Sequence, residues 1–274
     1  MSVLESIVLG IVQGLSEFLP ISSTAHLRIV PAMLGWEDPG AAFTAVTQLG
    51  TMAAVLIYFR ADLWAVARAW MGSLWRPELR GSPEARMGWY LIAGTVPIVI
   101  FGVLFEKQIE TGARDLYLIG TTLIVLGIVL FAADRVSRRD RDLEDLSTRD
   151  GVAIGFAQSL ALVPGVSRSG ATITAGLLLG LDRAAAARFS FLLSVPAVVL
   201  SGVYEGLKIA RGTVSTDTSA LSLILATGMA FVFGYASIAF LLRYLATHDL
   251  TPFVVYRVVV GALVLVLVAS GAIS

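Results

Sequence analysis

Two short stretches hold most of the polar chemistry in an otherwise apolar chain. The first is "QGLSEFLPISSTAH", residues 13–26. Gln13 and Glu17 are four apart and so share one helix face. Pro20 ends that helix, and Ser22, Ser23 or Thr24 can cap a second one. His26 is one of only two histidines. It follows Ser23 by three residues and Ser22 by four, which on a helix sets the imidazole beside a hydroxyl. Such a Ser–His pair can make a nucleophile, with the carboxylate orienting the base or binding a metal. The second stretch is "PGVSRSGAT", residues 164–172. Gly165 permits unusual backbone angles. Ser167 or Ser169 can cap the helix that follows, whose free N–H groups and positive dipole end favour an anion. Arg168 adds a bidentate fork suited to phosphate oxygens. Together the two stretches describe phosphoryl chemistry on something reached from the membrane.

The elements that must position them are membrane helices. The chain is 57% hydrophobic and 15% charged, with mean hydropathy +0.82, against roughly 25% charged in soluble domains. Net charge is zero, which gives no sign of a nucleic-acid partner. Cysteine is absent, which excludes a disulfide framework, a thiol nucleophile and a thiolate metal site. The first residues lack a basic region and carry Glu5, a poor match to a signal peptide. Six stretches approach the length a spanning helix needs, roughly 41–59, 88–105, 116–133, 184–207, 220–242 and 253–272. Residues 2–34 and 151–182 are broken by Pro20 and by Pro164-Gly165, so each reads as a re-entrant hairpin, a form tolerated where protein buries it or water reaches it. "GIVQGLSEFLPISSTAH" and "GFAQSLALVPGVSRSGAT" share Gly, Gln, Leu, Pro and a hydroxyl cluster in order. The expected fold is an all-α integral membrane protein. It has six transmembrane helices plus two re-entrant hairpins in a single domain, 1–274, with an inverted-topology repeat of 1–135 on 150–274.

Basic loop residues set the orientation. Arg60, Arg68, Arg76, Arg80, Arg86, Arg135, Arg138, Arg139, Arg141, Arg149 and Arg243 fall on one face. Arg28, Lys107, Arg114, Lys208 and Arg211 fall on the other. The positive-inside rule places the first set in the cytoplasm and both termini outside, with the hairpins meeting near mid-membrane. Glu17 and Arg168 then face each other or a shared ligand, since a charge at bilayer centre costs about 2.5–3.5 kcal/mol.

Plainer roles compete for single residues. Ser22, Thr24 or Thr172 can simply bond back to the i−4 carbonyl. Arg188 and Arg257, near the inner ends of spans, read as snorkelling, and His248 as a solvated cap. Residues 134–150 read as a solvated linker, and the tryptophans around the first cytoplasmic loop as an interfacial belt.

These residues also carry a resemblance. "QGLSEFLPISSTAH" is similar to the (E/Q)xxxE region, and "PGVSRSGAT" to the PGxSRSxxT region, of bacterial undecaprenyl-diphosphate phosphatases, the bacitracin-resistance proteins. "TQLGT", "FSFLLSVP" and "PFVVYR" extend the likeness over nearly the whole chain. The resemblance implies hydrolysis of a C55 isoprenyl diphosphate to the monophosphate in the bacterial cytoplasmic membrane; with the orientation set by the basic loops, the site is expected to be reached from the outer face. It also implies a divalent cation, Mg2+ or Ca2+, held by Glu17 and Gln13. Ser23, His26, Glu17 and Arg168 take the catalytic positions. Ser22, Thr24, Gly165, Ser167, Ser169 and Thr172 line the substrate. Ser23 attacks the terminal phosphorus while His26 takes its proton, or else His26 with Glu17 activates water. Position 13 is Gln, uncharged, and position 25 is Ala where Gly is common.

The competing reading is a polyprenyl-phosphate transporter or flippase, for which inverted repeats with broken helices are a signature. A lipid phosphatase of the acid-phosphatase type fits poorly, since "STAH" lacks the glycine of an SGH motif. Partners are the lipid substrate and membrane lipid; a homodimer is left open.

Overall fold

The computed structural model describes residues 1–105, 115–210 and 218–273, with the side chains at 41, 203 and 205–210 excepted. Lys107, Arg114 and Arg211, used above for orientation, lie outside the described residues, as does the side chain of Lys208. The described residues form eleven α-helices and no strand. In chain order these are α1 (Val3–Phe18), α2 (Ser23–Leu34), α3 (Gly40–Tyr58), α4 (Arg60–Trp75), α5 (Pro83–Leu104), α6 (Leu116–Val136), α7 (Thr148–Ser159), α8 (Arg168–Leu178), α9 (Arg183–Ala210), α10 (Ala220–Leu245) and α11 (Thr251–Ala269).

Five of them, α5, α6, α9, α10 and α11, are long and apolar enough to cross a membrane, and α3 makes a sixth when taken with α4 as one bent pair. All six stretches picked out by hydropathy are therefore helices. The sequence reading missed α4. The chain bends by 76° after α3, and residues expected in a loop form a 16-residue helix instead. Trp64 and Trp75 are exposed, as a belt residue should be, but Trp70 packs edge-on against Trp89 at 5.6 Å.

The remaining helices come in two broken pairs, α1–α2 and α7–α8. At about 1.5 Å per residue, arms of 16, 12, 12 and 11 residues each fall short of a ~30 Å hydrocarbon core. Small residues let them pack backbone to backbone, as membrane bundles require. A Cβ on Gly10 or Gly14 of α1 would strike α10 at Ala226 or Ala230, and one on Gly155 of α7 would strike Gly94 of α5. α6 lies along α11 through Gly120 and Gly261. The largest apolar cluster runs through Phe18, Ile21, Phe59, Phe189 and Phe191 and takes in Ile154 of α7 and Ile173 and Leu177 of α8.

Most of the 134–150 segment is exposed, as its mixed charge suggests, but both its ends are anchored. Asp134 is buried, and Arg183 donates to both its oxygens, at 2.6 and 3.2 Å, while the Leu250 N–H adds a third bond at 3.3 Å. One carboxylate thus pins the ends of α6, α9 and α11. Nearby, burial alone would raise the Asp150 carboxyl. Bonds from Arg141 and from the Ser147 N–H and hydroxyl outweigh it and hold the group below its ordinary value. Asp134→Ala strands a guanidinium and a buried N–H, and is expected to cost about 3 kcal/mol. The fall in melting temperature in detergent measures it, and an unchanged value refutes the pinning role.

Candidate active site

The two breaks share one backbone solution. Ser22 and Ser167 immediately precede α2 and α8, and both have positive φ, +77° and +71°. That region costs a non-glycine residue of order 1–3 kcal/mol unless its surroundings over-determine it. Each serine caps its own helix: Ser22 Oγ accepts from the Ala25 N–H and Ser167 Oγ from the Gly170 N–H. Each hydroxyl also meets the one two residues on, Thr24 Oγ1 and Ser169 Oγ, both at 3.2 Å. Ser22, Ser167 and Ser169 are buried, so these three build the turns rather than lining an open face. Thr172 bonds back to the Arg168 carbonyl at 2.8 Å and to Ser190 at 2.6 Å, also buried. Gly165, with φ +83°, sits against Thr122 and Ile119 where no Cβ would fit. Thr122 in turn donates to the Pro164 carbonyl at 2.6 Å.

What the strained turns present is the residue after each cap, Ser23 and Arg168. Both reach Glu17. Ser23 Oγ donates to Glu17 Oε2 at 2.6 Å, and Arg168 Nη2 donates to Glu17 Oε1 at 2.8 Å. Gln13 Nε2 donates to Oε2 at 3.1 Å, the helical i, i+4 contact expected from the spacing. Arg168 Nη1 also bonds the Ser194 carbonyl of α9 at 3.3 Å. Ser169 Oγ ties the second turn to the first through the Leu19 carbonyl at 3.0 Å. The α2 and α8 N-termini therefore meet around one carboxylate, and the first N–H groups of both are left over, as first-turn groups must be. Thr24 is exposed and Ser23 and Arg168 are half-buried, so the site is open on the Thr24 side.

His26 does not sit where its spacing from Ser23 suggested. Its Nδ1 donates to the Ser22 carbonyl at 2.7 Å, not to a hydroxyl. That fixes the tautomer, because a carbonyl only accepts. Nε2 is then an acceptor, and the Tyr256 hydroxyl donates to it at 2.7 Å. The partner of the Ser23 proton is Glu17. The equivalent position in the second turn is Ala171, whose N–H bonds the Ser167 carbonyl all the same. The turn thus forms without a histidine, and what His26 adds is the link to α11.

Arg257 was misread too. It is wholly buried, not snorkelling. Arg188 does behave as a surface group, pairing with Asp62 at 2.7 Å. His248 is exposed and capped by Thr247. Sequence signals for Tyr256 and Arg257 were confined to the "PFVVYR" likeness, because their partners are far away in the chain.

As for a metal, no three His, Asp or Glu side chains gather into a cage among the described residues. Glu17 has both oxygens engaged. Gln13 Oε1 is buried without a hydrogen-bond partner, one hard oxygen beside one carboxylate.

Fold and site together define an apolar, all-helical bundle of the multi-pass membrane type, with a polar site enclosed between two helix breaks. A family model described as "Bacitracin resistance protein BacA" matches residues 6–263, and the chain belongs to that family. It is similar to proteins named undecaprenyl-diphosphatase. One from Nocardioides sp. strain JS614 is 55% identical over 271 residues, covering 99% of this chain and 98% of the relative. One from Thermobifida fusca is 53% identical over 274 residues, 100% of this chain and 93% of the relative. One from Chlorobium chlorochromatii is 50% identical over 281 residues, 100% of both.

Proposed function

We propose that the chain hydrolyses undecaprenyl diphosphate to the monophosphate and inorganic phosphate, returning a lipid carrier to cell-wall synthesis and so conferring bacitracin resistance. The observation that carries this is the chain Ser23–Glu17–Arg168 at two facing helix N-termini: nucleophile, base and phosphate clamp in one hydrogen-bonded set. The diphosphate enters from the Thr24 side, with its isoprenyl tail lying between spanning helices. Arg168 turns from Glu17 to the terminal phosphate and, with the first N–H groups of α2 and α8, stabilises the charge of the transition state. Ser23 Oγ attacks the terminal phosphorus as Glu17 Oε2 takes its proton. The bridging P–O bond breaks and the lipid monophosphate leaves. Glu17 passes that proton to the departing monophosphate, then takes one from the water that attacks the phosphoserine and returns it to Ser23 Oγ as inorganic phosphate leaves. His26 positions the first turn.

A divalent cation fits only in part. Glu17 and Gln13 Oε1 would hold it, and substrate phosphates and water would complete its shell, the usual habit of magnesium. When bound it supplies charge neutralisation on the leaving phosphate.

The same reading places the site in the bacterial cytoplasmic membrane, facing outward, with both termini outside and the halves related as an inverted repeat. Paired positions support the repeat. Capping boxes at Ser2/Glu5 and Ser147/Asp150 open α1 and α7. The positive-φ serines Ser22 and Ser167 and the positive-φ glycines Gly35 and Gly180 recur at one constant offset. Gln13 and Gln158 are both buried with Oε1 unpartnered.

The test is phosphate release from a C15 or C55 diphosphate in detergent, where no compartments exist, with and without chelator. Release that chelator suppresses and added Mg2+ or Ca2+ restores is expected. A transporter using the same residues would release none.

A further inference from the structure

Arg257 is the largest wholly buried side chain among the described residues, and the mechanism above makes no use of it. Its hydrogen bonds all go to main-chain carbonyls. Nη1 donates to Pro20 O at 3.1 Å, in the first turn. Nη2 donates to Gly165 O and Val166 O, each at 3.1 Å, in the second turn, and more weakly to Thr122 O at 3.4 Å. Nε donates to Leu123 O at 3.2 Å. One planar group on α11 thus holds both helix breaks and α6 at once. Two glycines make room for it. A Cβ on Gly127 would lie 3.3 Å from Arg257 Cβ, and one on Gly170 would lie 2.8 Å from Nη1.

We infer that Arg257 is a positioning residue, a staple that fixes the two turns relative to each other so that Ser23 and Arg168 converge on Glu17. Three of the carbonyls it takes, Pro20 O, Gly165 O and Val166 O, lie one or two residues before the positive-φ serines Ser22 and Ser167. Their backbone would otherwise relax and turn Ser23 and Arg168 away. Only a guanidinium has the donors for this. An ammonium at the same place keeps the charge but cannot reach carbonyls on three segments in fixed directions. Charge and staple are therefore separable by Arg257→Lys.

The kinetic arm rests on the phosphatase reading; the distance arm does not. The chain has no cysteine, so spin labels can be placed at Leu34→Cys on α2 and Leu178→Cys on α8, both exposed. With Arg257 present the distance distribution is expected to be single and narrow. Arg257→Lys should broaden or split it, and lower kcat about 10²-fold, the order of loss a misplacement of about 1 Å produces, with KM within about threefold. Gly170→Ala leaves the arginine in the chain but pushes Nη1 aside, and should broaden the same distribution if Arg257→Lys does not fold. An unchanged narrow distribution in a folded variant overturns the proposal. So does a loss confined to KM, which would make Arg257 a substrate contact. Absence of phosphate release by the unaltered protein would sink the phosphatase reading and leave the distances to decide the staple.

Discussion

Arg168→Ala is expected to lower kcat/KM for a polyprenyl diphosphate by about 10³-fold, the scale at which transition-state arginines act in phosphoryl transfer. Two losses combine. The phosphate loses the guanidinium that faces it, and Glu17 loses the partner that holds it in place beside Ser23 and Gln13. Arg168→Lys should fall between, because an ammonium restores charge without the two-pronged geometry. Arg168 also bonds Ser194 O on α9, so part of the effect is orientation. Initial rates of phosphate release from detergent-purified variants measure all three proteins. Activity of Arg168→Ala within tenfold of the unaltered chain would remove the guanidinium from the chemistry.

How far such a site can be read from sequence depends on the reach of each contact. Gln13 with Glu17, Pro20 as a helix end, and a hydroxyl cap after each break were legible, because a few residues of local geometry decide them; that the caps are Ser22 and Ser167, rather than Ser23, Thr24 or Ser169, was settled by the positive φ at both. The convergence of Glu17 and Arg168 was legible by cost alone, since two opposite charges buried in an apolar chain must find each other. His26 shows where local reasoning fails. Helical spacing put its ring near a hydroxyl, yet the ring turned to a carbonyl and to Tyr256, a residue 230 positions away. Arg257 failed for the converse reason. Position near a span end suggests snorkelling, but whether a distant turn covers that end is a property of packing. Asp134 was misjudged in the same way, its neighbours along the chain being charged and its partners Arg183 and Leu250 remote. The helix α4 was hidden because arginines punctuate it, and its inner face packs on α5 rather than on anything adjacent in sequence. The same long-range ties bear on transport. A carrier needs its halves to move apart, whereas here Arg257, Ser169 and the Glu17–Arg168 pair lash the two breaks together, an arrangement suited to a fixed reaction centre.

The assignment of the base is open to a direct contest between Glu17 and His26. Ser23 Oγ–H points to Glu17 Oε2 at 2.6 Å, while His26 Nε2 is occupied by the Tyr256 hydroxyl. Removing a general base costs about 10²–10⁴ in rate. Glu17→Gln keeps the shape, replaces the acceptor with an amide and cancels the charge facing Arg168, so a loss of about 10³-fold is expected. His26→Ala should cost less than the roughly 10² that loss of a base demands, because the second turn keeps its form with Ala171 in the same place. Ser23→Ala should match Glu17→Gln, since each removes one end of the same proton transfer. Combining the two should add little, as members of one catalytic unit are not additive. Acid quench of the unaltered protein with substrate labelled in the terminal phosphate should leave label on Ser23, and His26→Ala should still acquire it. Label absent from the protein, with Ser23→Ala turning over at a substantial rate, would transfer the attack to water. A larger loss in His26→Ala than in Glu17→Gln would transfer the proton to the imidazole, and would require His26 to leave Tyr256 during turnover.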